Sequence, residues 1–407
     1  MIQLATNDCG GDAQRRWETV SFFDRKGRLE AAGNQRGIRT SRPSLWARAL
    51  SIPDGYGRSE ERPCPPRRPS GEAGPKVEIM RPNAHLARML THGSSPGMAD
   101  KPMPNDPFGA GDDFVASFQI EDTSVRGRIA RLGDGVLDPI LKRHDYPRWA
   151  AHLLGEAVTL AVLISASLKF DGRVMVQAQG GGPIPLLVAE ARSDGGVRGY
   201  LKLDKAKWEN LDRINKGQRP HIPQVLGAGV MALLLQPNDP EQAPWQSMVP
   251  IEGATLADCA QTWFAQSEQV PTRVRLTVAE ISELGGTKRW RSGGALIQQV
   301  AGDVSRGETQ EQWDNARHLF DTITDLELAD PDLSSAELLL RLFHESGVRL
   351  EPPKVLSDKC TCSDEKLLTT LRAMPKDEIK TLADADGAIT ADCQFCGRLY
   401  RFPLDTI

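Results

Sequence analysis

Cys360-Thr361-Cys362, thirty further residues, then Cys393-Gln394-Phe395-Cys396-Gly397: this stretch near the C-terminus decides how the rest of the chain is read. Two close cysteine pairs brought together by a folded insert meet the tetrahedral demand of zinc, which takes thiolates at about 2.3 Å. Gly397 after the second pair fits a tight knuckle turn in which backbone N–H groups face the sulfurs. The insert has folding signals of its own. Asp364 and Glu365 open a helix through Arg372, and Pro375 opens a second. One ligand set supports two readings. Most four-cysteine zinc sites are structural and hold a small domain together. A thiol switch is the other reading, and two details favour it: Cys-x-Cys closes only through a strained, reducible disulfide, and Lys359 beside Cys360 favours thiolate over thiol. Spacing alone leaves both open.

Composition narrows the classes around that motif. A chain of 407 residues with 40% hydrophobic residues is long enough for more than one domain with a sizeable core. The net charge of -4 hides an asymmetry. Residues 1–107 hold 17 Lys+Arg against 12 Asp+Glu, so the remainder holds 33 against 42 and is acidic. An acidic body argues against a dedicated nucleic-acid binder. The most apolar run, Ala150 to Leu168, is interrupted by His152, Glu156, Thr159, Ser165 and Ser167, so it reads as a buried core helix rather than a membrane span. No secretory signal is visible, which predicts a cytoplasmic protein whose cysteine cluster signals metal or redox chemistry.

Working outward from the cysteines, the chain divides four ways. Residues 1–107 alternate Arg- and Pro-rich pieces, such as Arg62-Pro63-Cys64-Pro65-Pro66-Arg67-Arg68-Pro69, with Gly and Ser, and are expected to be a disordered extension. Residues 108–302 read as an α+β core. Pro147 opens its long helix, and strand-like runs cover Arg173–Gln179, Pro185–Glu190, Val197–Leu203, Val225–Gln236 and Arg273–Val278. In the last of these, Val274, Leu276 and Val278 alternate with Arg275 and Thr277, the period of a half-exposed strand. Ala254–Gln266 reads as a helix containing a buried Cys259. Residues 303–355 read as a helical linker, with one helix over Gln310–Leu328 and a second over Ala336–Glu345, capped by Ser334 with Glu337 and closed by Gly347. Its apolar face, Trp313, Leu319, Phe320, Ile323, Leu339 and Leu342, needs a partner surface on the core. Residues 356–407 are the cysteine module.

Beyond the cysteines, several blocks stand in order: Ser124-Val125-Arg126-Gly127, His144-Asp145-Tyr146-Pro147, Leu168-Lys169-Phe170-Asp171-Gly172, Gln179-Gly180-Gly181-Gly182-Pro183, Ser267 to Arg273, Gly293-Gly294 and Arg341-Leu342-Phe343-His344-Glu345. With the Cys-x-Cys…Cys-x-x-Cys ending, the chain from about Asp112 to Phe402 resembles the redox-regulated holdase chaperones of the bacterial 33-kilodalton heat-shock protein family. The resemblance implies a mixed sheet-and-helix chaperone core, a metastable helical linker and a small zinc-binding domain. It implies zinc ligands at Cys360, Cys362, Cys393 and Cys396, which oxidants convert to disulfides within each close pair, with loss of zinc and unfolding of module and linker. Unfolding client proteins would then be held without ATP by a homodimer formed on oxidation, under oxidative stress. The N-terminal extension lies outside the family pattern. Val348–Asp358 is poorer in aromatics than the family's usual approach to the first cysteine, a departure that bears on how firmly the linker docks.

Other candidates carry little. The seven histidines form no ligand pair; His152 reads as a satisfied core residue and His344 as a helix-end cation. Gly180–Pro183 and Gly285-Gly286-Thr287-Lys288 read as turns, not phosphate loops, and no Gly-x-Ser-x-Gly elbow occurs. Cys9 and Cys64 read as incidental. An enzyme is not expected. The competing expectation is a constitutive zinc-ribbon adaptor or nucleic-acid binder with a structural zinc.

Overall fold

The computed structural model describes residues 2–6, 16–20, 111–282, 286–300 and 309–407. In chain order the first elements are β1 (Ile2–Thr6), β2 (Arg16–Val20), β3 (Phe114–Ile120), β4 (Val125–Leu132), α1 (Leu137–Lys142) and α2 (Arg148–Ser167). Then come β5 (Gly172–Gly180), β6 (Leu186–Arg192), β7 (Gly196–Lys202), α3 (Lys205–Asn215), α4 (Ile222–Leu226), β8 (Gly229–Pro237) and β9 (Trp245–Pro250). After α5 (Leu256–Trp263) follow β10 (Thr272–Ser282) and β11 (Lys288–Gln299). The remainder is α6 (Thr309–Asp321), α7 (Asp325–Ala329), α8 (Ser335–Phe343), β12 (Val348–Leu350), β13 (Lys354–Val355), β14 (Ser357–Asp358), α9 (Asp364–Arg372), α10 (Lys376–Leu382), β15 (Ala388–Cys393) and β16 (Leu399–Pro403).

The architecture is α+β and is organised around α2. Pro147 stands at its N-cap, where a missing N–H costs nothing. It is long and apolar enough to cross a membrane, yet 89% of its apolar window is buried inside the protein. It packs between two antiparallel sheets, touching β4, β10 and β11 on one side and β5, β6 and β7 on the other. The first sheet runs β10-β11-β4-β3-β12, with β13 also pairing β3; the second runs β14-β7-β6-β5-β8-β9. Thr159 and Ser167 satisfy their hydroxyls on the carbonyls one turn back, and Thr159 also meets Ser292 at 2.7 Å. His152 is the exception. It lies buried between Trp149 and Trp290, its ring nitrogens have no hydrogen-bond partner among the described residues, and burial lowers its pKa to about 4. Neutral imidazole tolerates the site, so apolar packing rather than a hydrogen bond holds it there.

Both faces of the first sheet are covered. On β3, Val115 faces the α2 core while Phe114, Ala116, Phe118 and Ile120 face outward into a second core. That second core is made with the linker: Trp313, Phe320, Ile323, Leu328, Leu338, Leu339, Leu342 and Phe343 are all buried against it. The helix expected over Gln310–Leu328 is broken in two at Thr322–Thr324, because Thr324 caps a new helix and shares a capping box with Glu327. Leu319 lies on the exposed side of α6, so it is not part of the docked face. Arg275 and Thr277 of β10 are likewise not an open solvent face. Thr277 is buried, Arg273 pairs with Asp321 at 2.9 Å, and Arg275 donates to the Ile323 carbonyl. Few aromatics are needed in Val348–Asp358, since this strap docks through backbone ladders: β12 and β13 on β3, and β14 in parallel on β7.

The outer face of the second sheet carries the cysteine module, with Val188 and Tyr200 packed against Leu367, Leu371, Ile379, Ile389 and Phe395. A further small sheet runs β16-β15-β1-β2. Two five-residue pieces of the expected disordered extension are therefore strands, with Ile2 opposite Cys393. Pairing of this kind at a sheet edge uses backbone groups and leaves no apolar period to read. The rest of residues 1–107, Cys9 and Cys64 included, lies outside the described residues.

Candidate metal centre

Two tight turns deliver the four sulfurs. The second begins where β15 ends: Gly397, at φ 71°, lets its N–H donate to the Cys393 carbonyl at 2.7 Å, and Cys396 N–H reaches the same oxygen at 3.2 Å. A side chain at that φ would be strained, which is why the knuckle ends on glycine. The first pair lies just after β14, whose continuation holds Lys359 N–H on the Val197 carbonyl at 3.0 Å. Ser363 then caps α9 by accepting from the Lys366 N–H.

The four ligand atoms lie within 4.8 Å of one another. Cys360 Sγ is 3.6 Å from Cys393 Sγ, and Cys362 Sγ is 3.4 Å from Cys396 Sγ. A tetrahedral ion with sulfur at about 2.3 Å separates its ligands by roughly 3.8 Å, so the donor set fits a metal held by four thiolates. Backbone N–H groups of Cys362, Cys396 and Arg398 face the sulfurs, as the knuckle motif predicts. The thiols are unequal. The Cys393 thiol, hydrogen-bonded to Cys360, is the main force that draws the Cys360 pKa down to about 3, and the Arg198 guanidinium adds to it. Cys393 is pushed upward by the same bond and by burial, and burial raises Cys396 to about 11.

Arg198 is the residue that the sequence did not reveal. It sits on β7, far from the cysteines in sequence, with Nη1 at 3.7 Å from Cys360 Sγ, Nη2 at 2.7 Å from Glu190, and its guanidinium 4.3 Å from the Phe395 ring centre. Lys359, the cation expected beside Cys360, instead pairs with Asp194 at 3.1 Å. The block His144-Asp145-Tyr146-Pro147 also acquires a purpose. His144 Nε2 meets the Gln394 carbonyl at 2.8 Å, Arg143 donates to the Phe395 carbonyl and pairs with Asp358, and Tyr146 bonds Leu201. The core therefore holds the knuckle by its backbone carbonyls. Because Glu190 is buried and its other cation, Arg173, stands at 3.9 Å, Arg198→Met is expected to leave a buried carboxylate without its close partner. Chemical denaturation of the reduced chain should show a loss of about 3 kcal/mol.

Comparison with known proteins bears directly on this arrangement. Residues 113–403 match the family model described as "Hsp33 protein". A "33 kDa chaperonin" of Caulobacter vibrioides is 45% identical over 291 residues, which is 71% of this chain and 94% of the relative. One from Azotobacter vinelandii is 36% identical over 293 residues, covering 71% of this chain and 91% of the relative. A crystal structure of the Thermotoga maritima 33 kDa chaperonin superposes with a TM-score of 0.58 at 23% identity, covering 72% of this chain and 96% of that one.

Proposed function

The chain belongs to the Hsp33 family of chaperones, and on that premise we propose that it is an ATP-independent holdase switched on by oxidation of a zinc-binding thiol cluster. One observation carries the reading: four sulfurs in mutual contact, set in a small module that is held to the core through the same knuckle that bears two of them. Zinc at Cys360, Cys362, Cys393 and Cys396 would keep the sulfurs as thiolates and tie the module together, a role worth about 10–16 kcal/mol in small zinc peptides. Thiolates are the form that peroxide attacks. When two of them join, two electrons pass to hydrogen peroxide, its O–O bond breaks, and two protons complete two waters.

Pairing within each close pair, Cys360 with Cys362 and Cys393 with Cys396, is what the family resemblance implies, and it fits a switch. Bonds across the pairs would staple the two turns together and stabilise the closed module. Bonds within the pairs remove the ligands and leave the turns joined only by the module's packing and by the Arg143 bonds to Asp358 and the Phe395 carbonyl. The module then opens, the linker loses its C-terminal anchor, and the apolar face of the first sheet becomes available to unfolding proteins, with dimer formation accompanying the active state. The chain would work in the reducing cytoplasm, where the resting form is the closed one.

The test is aggregation of a urea-unfolded reporter enzyme diluted into buffer without ATP. Suppression is expected only after peroxide treatment, rising in step with zinc release and with peptide-mapped 360–362 and 393–396 disulfides. Equal suppression by the reduced, zinc-loaded chain would instead make the zinc structural and the protein a constitutive binder.

A further inference from the structure

The outer face of the first sheet contains a receptor for backbone carbonyls. Arg131 on β4 is 1% exposed; it makes no ion pair among the described residues, although Asp112 and Asp330 lie near enough to favour its charge. Burial, with Arg291 nearby, lowers its pKa only to about 10, so it is charged at neutral pH. A buried guanidinium is costly unless its donors are filled. Here linker carbonyls fill them: Arg131 donates to Leu328, to Glu327 at 3.1 Å, to Leu333 at 3.2 Å and to Asp330 at 3.3 Å, with the Ser335 hydroxyl at 3.4 Å. Arg291, itself paired with Asp112, donates to the Ala329 carbonyl at 2.7 Å.

Gly293 completes the cradle. It stands directly across from Arg131 in the β4–β11 register, and a Cβ there would lie 2.0 Å from the Leu328 carbonyl oxygen. Phe114 is opposite Arg131 on the other side, and Ile129 and Ala295 belong to the same apolar face. Two guanidinium groups, a missing side chain and an apolar surround thus accept the end of α7, where a helix leaves its last carbonyls without intrahelical partners.

We propose that this arginine–glycine cradle is a client-binding subsite, filled in the closed chain by residues 327–333 acting as a built-in stand-in for a client. The inference rests on the holdase reading above. Once the linker leaves, the cradle takes segments that present unpaired backbone carbonyls, or a carboxylate, beside apolar side chains. Unfolding proteins expose both together at fraying helix ends. The apolar face supplies general adhesion, and the cradle selects where along a client it takes hold.

The probe is a fluorescent peptide of residues 324–343 with an amidated C-terminus, titrated by anisotropy into the peroxide-oxidised, zinc-free chain. Saturable binding that an unfolded reporter protein displaces is expected. Affinity should fall by roughly tenfold or more in Arg131→Met, the size of a lost charge-assisted hydrogen-bond set. Gly293→Ala keeps both arginines and blocks only the close approach, so it reads the same cradle if Arg131→Met fails to fold; it should weaken the peptide similarly. A free-acid peptide that binds more tightly would assign carboxylates as the better ligand, and equal binding would assign backbone carbonyls. Wild-type affinity in the folded variants, or a client that leaves the peptide in place, overturns the proposal. Aggregation suppression by the oxidised wild type is scored in parallel, so failure of the chaperone reading appears there and failure of the cradle appears in the variants.

Discussion

A Cys393→Ser chain purified under reducing conditions is expected to hold almost no zinc after dialysis against a mild chelator, while the wild type keeps one ion per chain. Four sulfurs within 4.8 Å make a single candidate site, and Cys393 is the most buried of the four cysteines. A serine hydroxyl fits the space but stays protonated and binds zinc poorly, so much of a contribution of about 10–16 kcal/mol is withdrawn from a small module. The backbone bonds of the knuckle, Gly397 and Cys396 N–H on the Cys393 carbonyl, are too few to close it alone. Elemental analysis reports the ion, and amide exchange across 356–407 reports the fold. The same variant should also loosen the core-side contacts of His144 and Arg143, since the carbonyls they bind belong to the knuckle. Full zinc occupancy in this variant would remove Cys393 from the ligand set.

The parts of the fold that were legible in the sequence are those whose signals are local. Pro147 ahead of an apolar run, Ser334 three residues before Glu337, and Asp364-Glu365 opening a helix each act on their own turn, and α2, α8 and α9 begin where these residues put them. The four cysteines that the fold brings together were legible for the same reason, as two spacings. What stayed hidden depends on a partner far away in the chain. Phe114–Leu132 and Lys288–Gln299 show no clean alternation because both of their faces are buried, one by α2 and the other by the linker. Arg275 and Thr277 read as a solvent face when they are a docking face. Arg198 has no motif, since its neighbourhood with Cys360 is created by β14 lying along β7. The Thr324–Glu327 capping box was local and readable, and it marks the break between α6 and α7.

Peroxide with mild heat is expected to raise amide exchange across 309–355 and 356–407 together, while β10 and β11 keep their protection. The linker is held at three places that fail in sequence. Its far end depends on the module: β14 pairs β7 over two residues only, and Arg143 bonds both Asp358 and the Phe395 carbonyl, so opening the knuckle undoes that anchor. The strap β12–β13 then hangs on short ladders with β3 at the edge of the sheet. What remains is the docked face of α6, α7 and α8, whose apolar burial must offset the ordering of the whole segment at roughly 1–2 kcal/mol per residue of backbone entropy. Without the anchor that balance shifts toward release, and heat shifts it further. By contrast β10 pairs β11 from Thr272↔Gln298 to Ser282↔Lys288, and β11 pairs β4 along most of its length. Its face toward α2 stays covered by Leu163 and Thr159 whether the linker is present or not. On this reading the arginines of the outer face would make the released state tolerable: Arg131 and Arg275 would exchange linker carbonyls for water while Arg291 keeps Asp112, so the bared sheet would be apolar and cationic at once and would remain soluble. Exchange mass spectrometry resolves these segments. If 309–355 stays as protected as β10 while client binding switches on, the linker is not the gate, and the binding surface must lie on the opened module or on the second sheet beneath it.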